Sequence, residues 1–282
     1  MRTLVFGARG QLGRELMALF GREGETAGYD LPALDLADLD AVRTAIVAFA
    51  PELILNAAAY TNVEQAEDDR DAAFRVNETG ARNVAEAAAD HGVPVVYYST
   101  DYVFGGAKRT PYVPEDSLAP IGVYAQSKAA GEAATRQAGP RHFIVRTAWL
   151  YGPGGNHFVE KILRAASSRP ELKVVNDEVG SPTHTLDLAE ATRALGRTEA
   201  YGVYHAVNTG ACSRYEFAKA ILAEAGLDVR VTPCASAEFP TKAERPLYSV
   251  LSTEKLKRAT GYAMRPWREA LAVYMARRRS AV

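Results

Sequence analysis

A tyrosine and a lysine near the middle of the chain have the types and spacing needed for proton chemistry. Tyr124 and Lys128 bound the stretch Tyr-Ala-Gln-Ser-Lys, and on a helix this spacing places both side chains on one face. An ammonium group beside a phenol favours the phenolate, so the tyrosine's pKa would fall from about 10 towards neutral pH. The same spacing occurs where a lysine stem merely covers an exposed tyrosine. Other residues of the chain must therefore distinguish a proton-transfer pair from a surface contact.

Length and composition describe an ordinary globular protein. The chain has 282 residues, of which 48% are hydrophobic and 24% charged, enough for one large domain or two modest ones. The 33 Lys and Arg balance 34 Asp and Glu, which argues against a nucleic-acid partner. Cys212 and Cys234 form no disulfide or metal-ligand pattern, and the first apolar run is too short for a membrane span. We expect a cytoplasmic protein without a membrane partner.

Short apolar runs alternate with helical patterns in the first half of the chain. The pattern predicts strands over 3–6, 26–29, 53–55, 93–99 and 142–147 and helices over 12–20, 39–49 and 71–90, with a further helix around Tyr124. Such alternation with short links predicts an α/β fold, a doubly wound parallel sheet with helices on both faces. Ligands of these sheets bind at the carboxyl ends of the strands.

A glycine pattern follows the first predicted strand. Gly7, Gly10 and Gly13 are three residues apart and open a predicted helix, an arrangement that lets the backbone approach a pyrophosphate. Asp30 ends the second strand at about the distance expected for a ribose contact, some 20 residues on. Asp30 suits the free 2′-hydroxyl of NADH, whereas Arg9 in the glycine loop suits the 2′-phosphate of NADPH. The sequence therefore predicts a Rossmann-type dinucleotide site and leaves the choice of cofactor open.

The next strand ends carry residues suited to carbonyl chemistry. The third strand runs into Ala57, Ala58 and Ala59, small residues that could lie against a flat nucleotide. The fourth delivers Thr100, whose hydroxyl could donate a hydrogen bond to a carbonyl oxygen while Tyr124 supplies the proton. A strand-terminal threonine also commonly bonds its own backbone. Taken together, these residues indicate a reductase.

An ordered set of motifs resembles the extended short-chain dehydrogenases/reductases, and within them the dTDP-4-dehydrorhamnose reductase family. The resemblance runs from about residue 1 to about residue 276. It is carried by the glycine loop, the string Ser99-Thr-Asp-Tyr-Val-Phe104, the Tyr124-x-x-x-Lys128 pair, Thr61 to Glu67, Arg146 to Gly152, Val175 to Thr183 and Arg245 to Leu251.

The resemblance implies roles for particular residues of this chain. Thr100, Tyr124 and Lys128 match the catalytic trio, and Asn77 matches the helix asparagine that supports a proton-relay water. Besides Tyr124 and Lys128, the cofactor contacts expected are Gly7, Arg9, Gly10, Gln11, Leu12, Gly13, Asp30, Asp35, Leu36, Ala58, Ala59 and Tyr60. The substrate contacts expected are Val63, Glu64, Thr100, Asp101, Tyr102, Trp149, Asn156 and Arg245. Without the resemblance, Trp149 would be read as core and Arg245 as a surface charge.

The implied reaction is reduction of the C4 ketone of dTDP-4-dehydrorhamnose by NADPH or NADH, giving dTDP-L-rhamnose for cell-surface polysaccharides. The rhamno and talo products and the nucleotide base are not distinguished. Some members are magnesium-dependent dimers, but no full carboxylate set is matched here, so Mg²⁺ and the choice between monomer and homodimer stay open. The chain reads Asn156-His157-Phe158 where the family often has Asn-Asn-Phe. The five histidines show no ligand spacing, and we expect them to be structural.

Alternatives of three kinds can be compared with this reaction: dehydration, another reduction or an epimerisation, and a non-catalytic role. A 4,6-dehydratase would carry Glu directly after Asp101, where this chain has Tyr102. A reductase of another dTDP-4-keto-6-deoxyhexose, or a 4-epimerase with tightly held NAD, remains an alternative. A non-catalytic subunit resembling the regulatory subunit of methionine adenosyltransferase is a third possibility, and it would co-purify with a larger catalytic partner.

The family resemblance also implies a division of the chain. We expect a dinucleotide-binding domain over 1–152, to which 186–207 returns as a helix and a strand. The segments 153–185 and 208–282 would form a smaller domain that binds the sugar nucleotide.

Overall fold

The computed structural model describes residues 1–280, so the last two positions of the predicted C-terminal domain lie outside it. In chain order the strands are Thr3–Phe6 (β1), Thr26–Tyr29 (β2), Leu53–Asn56 (β3), Val95–Thr100 (β4), His142–Thr147 (β5), Leu150–Tyr151 (β6), Glu171–Val175 (β7), Val179–Gly180 (β8), Thr183–His184 (β9), Gly202–His205 (β10), Cys212–Ser213 (β11) and Arg230–Cys234 (β12).

The α-helices are Gln11–Phe20 (α1), Leu39–Phe49 (α2), Val63–Ala66 (α3), Arg70–Phe74 (α4), Ala81–Asp90 (α5), Gly122–Ala138 (α6), Phe158–Ala166 (α7), Thr185–Gly196 (α8), Arg214–Ala225 (α9), Glu254–Thr260 (α10) and Trp267–Ser280 (α11). Within residues 1–280, none of them combines the length and the apolar character that crossing a bilayer requires.

Six strands form one parallel sheet in the order β10-β5-β4-β3-β1-β2. Strands β1, β3 and β4 are buried along their whole length, as expected for parallel strands covered on both faces. Helices α1 and α8 pack on one face with Leu16 and Leu188 in the core, while α2 and α5 pack on the other with Ile46 and Val84. The predicted doubly wound α/β fold is therefore confirmed.

The predicted helix over 71–90 is interrupted in the structure. Residues Arg75–Gly80 form a π-helical segment between α4 and α5. This segment packs closely on α6, because a Cβ at Gly131 would collide with the carbonyl oxygen of Asn77 and the ring of Tyr97. A widened turn of this kind is common at functional sites, and it places Asn77 against the helix of Tyr124.

The chain after β5 builds a second core. Helices α7, α9 and α11 pack with β7 and β12 around Phe217, Leu163 and Leu271. Strand β10 joins the six-stranded sheet beside β5. Leu256 of α10 packs into the core under that sheet. The division into two domains remains a prediction.

Candidate active site

A cleft with a volume of about 720 Å³ opens at the carboxyl ends of β1, β3 and β4. It brings together most of the predicted site residues. Those in its wall are Gly7, Gly10, Gln11, Leu12, Asp30, Asp35, Leu36, Ala58, Ala59, Tyr60, Thr100, Asp101, Tyr124, Lys128, Trp149 and Asn156. The predicted residues that do not line it are Arg9, Gly13, Val63, Glu64, Asn77, Tyr102 and Arg245.

The glycine loop has the close packing that a dinucleotide site needs. Gly7 has a φ of 78°, and a Cβ there would lie 2.5 Å from the backbone nitrogen of Ala58. Gly13 packs against the carbonyl oxygen of Gly7, which also excludes a side chain. Helix α1 begins after Gly10, which offers no side-chain cap, so the first N–H groups of the helix are available to an anion. These residues fit the pyrophosphate of a nicotinamide dinucleotide.

Asp30 fixes the glycine loop to the end of β2. Its carboxylate accepts hydrogen bonds from the backbone N–H groups of Arg9 and Leu31, each at 3.0 Å. The Arg9 side chain is exposed at the loop. Asp35 pairs with Arg75 at 2.6 Å. The backbone N–H of Ala37, followed by that guanidinium, holds the pKa of the Asp35 carboxyl below its usual value.

The catalytic candidates come from two elements that meet at the cleft. Thr100 is the last residue of β4, and Tyr124 and Lys128 lie one turn apart on α6. The Thr100 hydroxyl donates to Asp101 Oδ1 at 3.1 Å and accepts from the Tyr102 N–H at 3.2 Å. The expected strand-end contact with its own backbone is thus present, and the hydroxyl still lines the cleft.

The expected lowering of the Tyr124 pKa is wrong for the free protein. Burial raises the pKa of the Tyr124 phenol, and the nearby Thr100 hydroxyl opposes that shift only in part. Burial also lowers the pKa of Lys128 to about 7, although Glu132 opposes it. The Lys128 ammonium lies 4.1 Å from the centre of the Tyr97 ring. Both side chains line the cleft as their helical spacing predicts, but burial, which disfavours the charged form of each group, determines the direction of both pKa shifts. Tyr124 is therefore a neutral phenol, suited to donating a proton.

Asn77 lies behind the cleft wall rather than in it. Its side-chain oxygen accepts from the N–H of Tyr60 at 2.9 Å, and its amide donates to the Ser127 hydroxyl at 2.9 Å. Ser127 in turn donates to the carbonyl oxygen of Tyr124 at 2.8 Å. Asn77 therefore ties the π-helical segment to α6, the helix of Tyr124.

Aromatic and acidic side chains also lie in and next to the cleft wall. Trp149 and Asp101 line it, and the Tyr102 ring meets the Tyr124 ring edge-on, with centroids 6.2 Å apart. Burial raises the pKa of Asp101 to about 6, while the hydroxyls of Ser249 and Thr100 oppose that shift.

An ion pair joins two predicted substrate residues across the chain. The guanidinium of Arg245 pairs with the carboxylate of Glu64, which also accepts the N–H of Lys242 at 2.8 Å. The Lys242 ammonium pairs with Asp68 at 2.5 Å. The loop around residue 245 is thus tied to the short helix α3, which begins with Val63 and Glu64, and to Asp68 just after it.

Sequence reasoning missed a buried network beneath Thr100. Arg146 and Glu132 form a bidentate pair with both distances at 2.8 Å, and Ser99 donates to the same carboxylate at 2.6 Å. A signal was available, because Glu132 repeats the four-residue spacing from Lys128 and Arg146 stands within an apolar strand. Arg214, which stacks on Trp149 with 3.4 Å between its Cζ and the ring centre, carried no such signal.

The histidines and carboxylates form no metal centre among residues 1–280, where three or more His, Cys, Asp or Glu side chains nowhere converge as ligands. His157 does line the cleft, but its Nε2 bonds the carbonyl oxygen of Gly152 at 2.8 Å. Burial lowers the pKa of His184 and of His205 to about 3 in each case, so both are neutral.

A glycine-loop cleft that is also lined by a threonine, a tyrosine and a lysine defines the class of Rossmann-fold reductases. The chain belongs to the family described as the RmlD substrate binding domain, whose model matches residues 1–280. A spore coat polysaccharide biosynthesis protein of Bacillus subtilis is 42% identical, with 99% of each chain covered. Curated relatives from Sinorhizobium fredii and Mycobacterium tuberculosis, 40% and 42% identical, are named dTDP-4-dehydrorhamnose reductase.

Solved structures of that name agree with the fold. The dTDP-4-dehydrorhamnose reductase of Clostridium acetobutylicum is 40% identical, with a TM-score of 0.96 over 99% of this chain and 100% of that one. The enzyme of Bacillus anthracis, solved in complex with NADP, is also 40% identical and has a TM-score of 0.94 over 98% of this chain and 99% of that one.

Proposed function

We propose that this chain reduces the C4 ketone of dTDP-4-dehydrorhamnose to the alcohol of dTDP-L-rhamnose. The observation that carries the proposal is that Thr100, Tyr124 and Lys128 line the same cleft as the glycine loop. Relatives at about 40% identity over nearly the whole chain carry the name of this activity. The product would be a glycosyl donor for cell-surface polysaccharides.

The residues of the chain divide the work of the reaction. When bound, a reduced nicotinamide supplies the hydride that C4 receives. Tyr124, kept neutral by burial, gives its phenolic proton to the oxygen that becomes the alcohol. Thr100 stabilises the developing alkoxide with its hydroxyl. This requires Thr100 to turn its proton from Asp101 towards the substrate, because Asp101 is its acceptor in the free protein.

Lys128 holds the cofactor ribose in this proposal. Its amine lines the cleft between the Tyr97 ring and the dinucleotide space. An ammonium there donates to hydroxyl groups and places positive charge near Tyr124, which favours departure of the phenolic proton once the site is filled. Asn77 supports the reaction by holding Ser127 and Tyr60 in place.

The cofactor is NADPH or NADH. Exposure of Arg9 at the glycine loop supports NADPH, because a guanidinium suits a 2′-phosphate. The NADP complex of the Bacillus anthracis relative points the same way. The position of Asp30 at the end of β2 is weaker evidence for NADH, because each of its carboxylate oxygens already accepts a backbone N–H group.

The sugar nucleotide lies beyond the nicotinamide end of the cleft. Asp101, Tyr102, Trp149 and Val63 surround the sugar, and Asn156 and Arg245 contact the diphosphate. Arg245 has a guanidinium suited to phosphate oxygens, and it is held by Glu64 in the free protein. Diphosphate would therefore compete with Glu64 for Arg245.

The proposed function also divides the chain into two domains. The cofactor is bound by residues 1–152 with 186–207. The sugar nucleotide is bound by residues 153–185 with the segment from 208 onwards.

The experiment follows oxidation of NADPH and NADH separately with purified dTDP-4-dehydro-L-rhamnose. The Tyr124→Phe variant is the matched control, because it removes one oxygen and leaves the ring. We expect turnover in the wild type and a loss of at least about a hundredfold in Tyr124→Phe, as is typical for removal of a general acid, with cofactor affinity nearly intact. Unchanged turnover in Tyr124→Phe would contradict the assignment. NAD retained through purification without net oxidation would favour an epimerase instead.

A further inference from the structure

Trp149 is held in a backbone conformation that tryptophan rarely adopts. Its φ is 46°, in the left-handed region that L-residues enter only when their surroundings hold them there. The indole lines the cleft and lies against Gly180, where an added Cβ would come within 2.6 Å of the ring. Contacts beyond its own backbone therefore set the direction of this ring.

The guanidinium of Arg214 supplies one of these contacts. Its Cζ lies 3.4 Å from the centre of the Trp149 ring, well inside the range of a cation–π interaction. The Arg214 side chain is 16% exposed. Arg214 is also the first residue of α9, where a positive charge meets the positive end of the helix dipole. The helix dipole therefore does not stabilise an arginine at this position. The contacts of Arg214 with Trp149 and Glu178 do stabilise it there.

A two-stranded ribbon fixes both Arg214 and Gly180. Strands β8 and β11 pair antiparallel with Gly180 opposite Cys212. Past the end of that pairing, the Arg214 N–H donates to the carbonyl oxygen of Glu178 at 3.3 Å, and the Glu178 carboxylate lies 3.4 Å from Arg214 Nε. The ribbon therefore presents a glycine and an oriented guanidinium to the same indole.

Arg214 also contacts Tyr102, an aromatic residue next to the cleft wall. Its Nη2 donates to the Tyr102 hydroxyl at 3.4 Å. Burial raises the pKa of Tyr102 and of Asp101, and the Arg214 charge acts against both shifts. Because the Tyr102 ring packs edge-on against Tyr124, one guanidinium links Trp149 to a neighbour of the proton donor.

We propose that Arg214 is a positioning residue that determines sugar recognition by orienting Trp149 and Tyr102. The inference rests on the proposed function, in which the sugar lies against these two side chains. Trp149 lines the cleft, whereas neither Arg214 nor Tyr102 does, so Arg214 acts through the indole, and through Tyr102 where the sugar extends beyond this wall. It keeps the indole plane as one fixed wall for the sugar ring and the Tyr102 hydroxyl at a fixed point beside it. The site therefore favours a keto sugar whose ring fits against the Trp149 indole in this fixed orientation.

The kinetic test compares Arg214→Gln with Arg214→Lys. In Arg214→Gln we expect KM for the dTDP-keto sugar to rise by about three- to tenfold, the range that loss of a partly buried cation–π contact gives. The NADPH dissociation constant should stay unchanged, because the glycine loop is not involved. Arg214→Lys keeps the cation and should recover part of the loss. If Arg214→Gln does not fold, Arg214→Lys carries the comparison with a smaller expected rise.

Tryptophan emission gives a second measurement that needs no turnover. We expect Arg214→Gln to change the emission of the ligand-free protein, and the change to disappear when Trp149→Phe is present in both proteins, leaving Trp267 as the remaining tryptophan. An emission change that persists without Trp149, or an unchanged KM in folded Arg214→Gln, overturns the proposal. Absence of turnover in the wild type would instead reject the reductase function, while the emission comparison still decides the contact.

Discussion

The carboxylate of Glu67 accepts a hydrogen bond from the backbone N–H of Val123 at 2.9 Å, one residue before Tyr124. Helix α6 begins at Gly122, and its N-cap residue Ile121 offers no side-chain cap. Glu67 therefore serves as the cap from 56 residues away, and its negative charge suits the positive end of the helix. Glu67 therefore holds the first turn of α6, which carries Tyr124. Glu64, three residues earlier in the chain, holds Arg245.

Replacing Glu67 by alanine should loosen that turn. We expect Glu67→Ala to lose about 1 kcal/mol of unfolding free energy, the usual effect of a lost cap, and to lower kcat while the NADPH dissociation constant stays unchanged. Glu67→Gln keeps an acceptor oxygen and should retain most of the activity. Urea unfolding and steady-state kinetics measure the two effects. A wild-type kcat in Glu67→Ala would show that this cap does not position Tyr124.

Binding of the cofactor should draw a proton onto Lys128. Its pKa is lowered to about 7 in the free protein by burial, so at pH 8 the folded protein holds it mainly as the neutral amine. Cofactor hydroxyls that accept from the ammonium raise that pKa again, and a proton must then be taken up. Calorimetric titration with NADPH at pH 8 in buffers of different ionisation enthalpy counts it. We expect uptake in the wild type and none in Lys128→Met; equal uptake in both would remove Lys128 from this role.

The buried pair of Arg146 and Glu132 should matter more for stability than any surface pair. Both side chains are almost fully buried, and Arg146→Met leaves the carboxylate without its bidentate partner. We expect a loss of about 3–5 kcal/mol in the free energy of unfolding. The exposed Arg43 and Asp90 pair, at 2.9 Å, provides the control, and Arg43→Met should lose at most about 1 kcal/mol. Equal losses for the two variants in urea unfolding would refute this account of the network.

Local sequence patterns were sufficient to predict strands β1 to β5 and to bring Thr100 and Tyr124 to the edge where those strands end, whereas the strand order came from the structure alone. Apolar runs such as Leu53 to Leu55 can only be buried strands in this context, and parallel strands bring their carboxyl ends to one edge. That single geometric rule places Thr100 beside the glycine loop, although the two are more than 80 residues apart in sequence by the numbering of Gly13 and Thr100.

Tertiary packing decided what the sequence could not predict. The π-helical turn at Asn77 lies where Gly131 of another helix approaches it closely, a contact that no local pattern in the sequence indicates. The pKa of Lys128 depends on burial rather than on its spacing from Tyr124. Arg214 stacks on Trp149 because a short ribbon joins residues far apart in the sequence, and nothing in its own neighbourhood indicates that contact.

Hydride transfer to C4 is the central claim, and isotope labelling measures it directly. The protein is incubated with dTDP-4-dehydro-L-rhamnose and NADPH that carries deuterium at both hydrogen positions of the nicotinamide C4. The product sugar is then examined by NMR. We expect dTDP-L-rhamnose with deuterium at C4, and at most about a hundredth of that labelled sugar from Tyr124→Phe in the same time. A product without deuterium at C4, or a substrate recovered unchanged, would contradict the central claim.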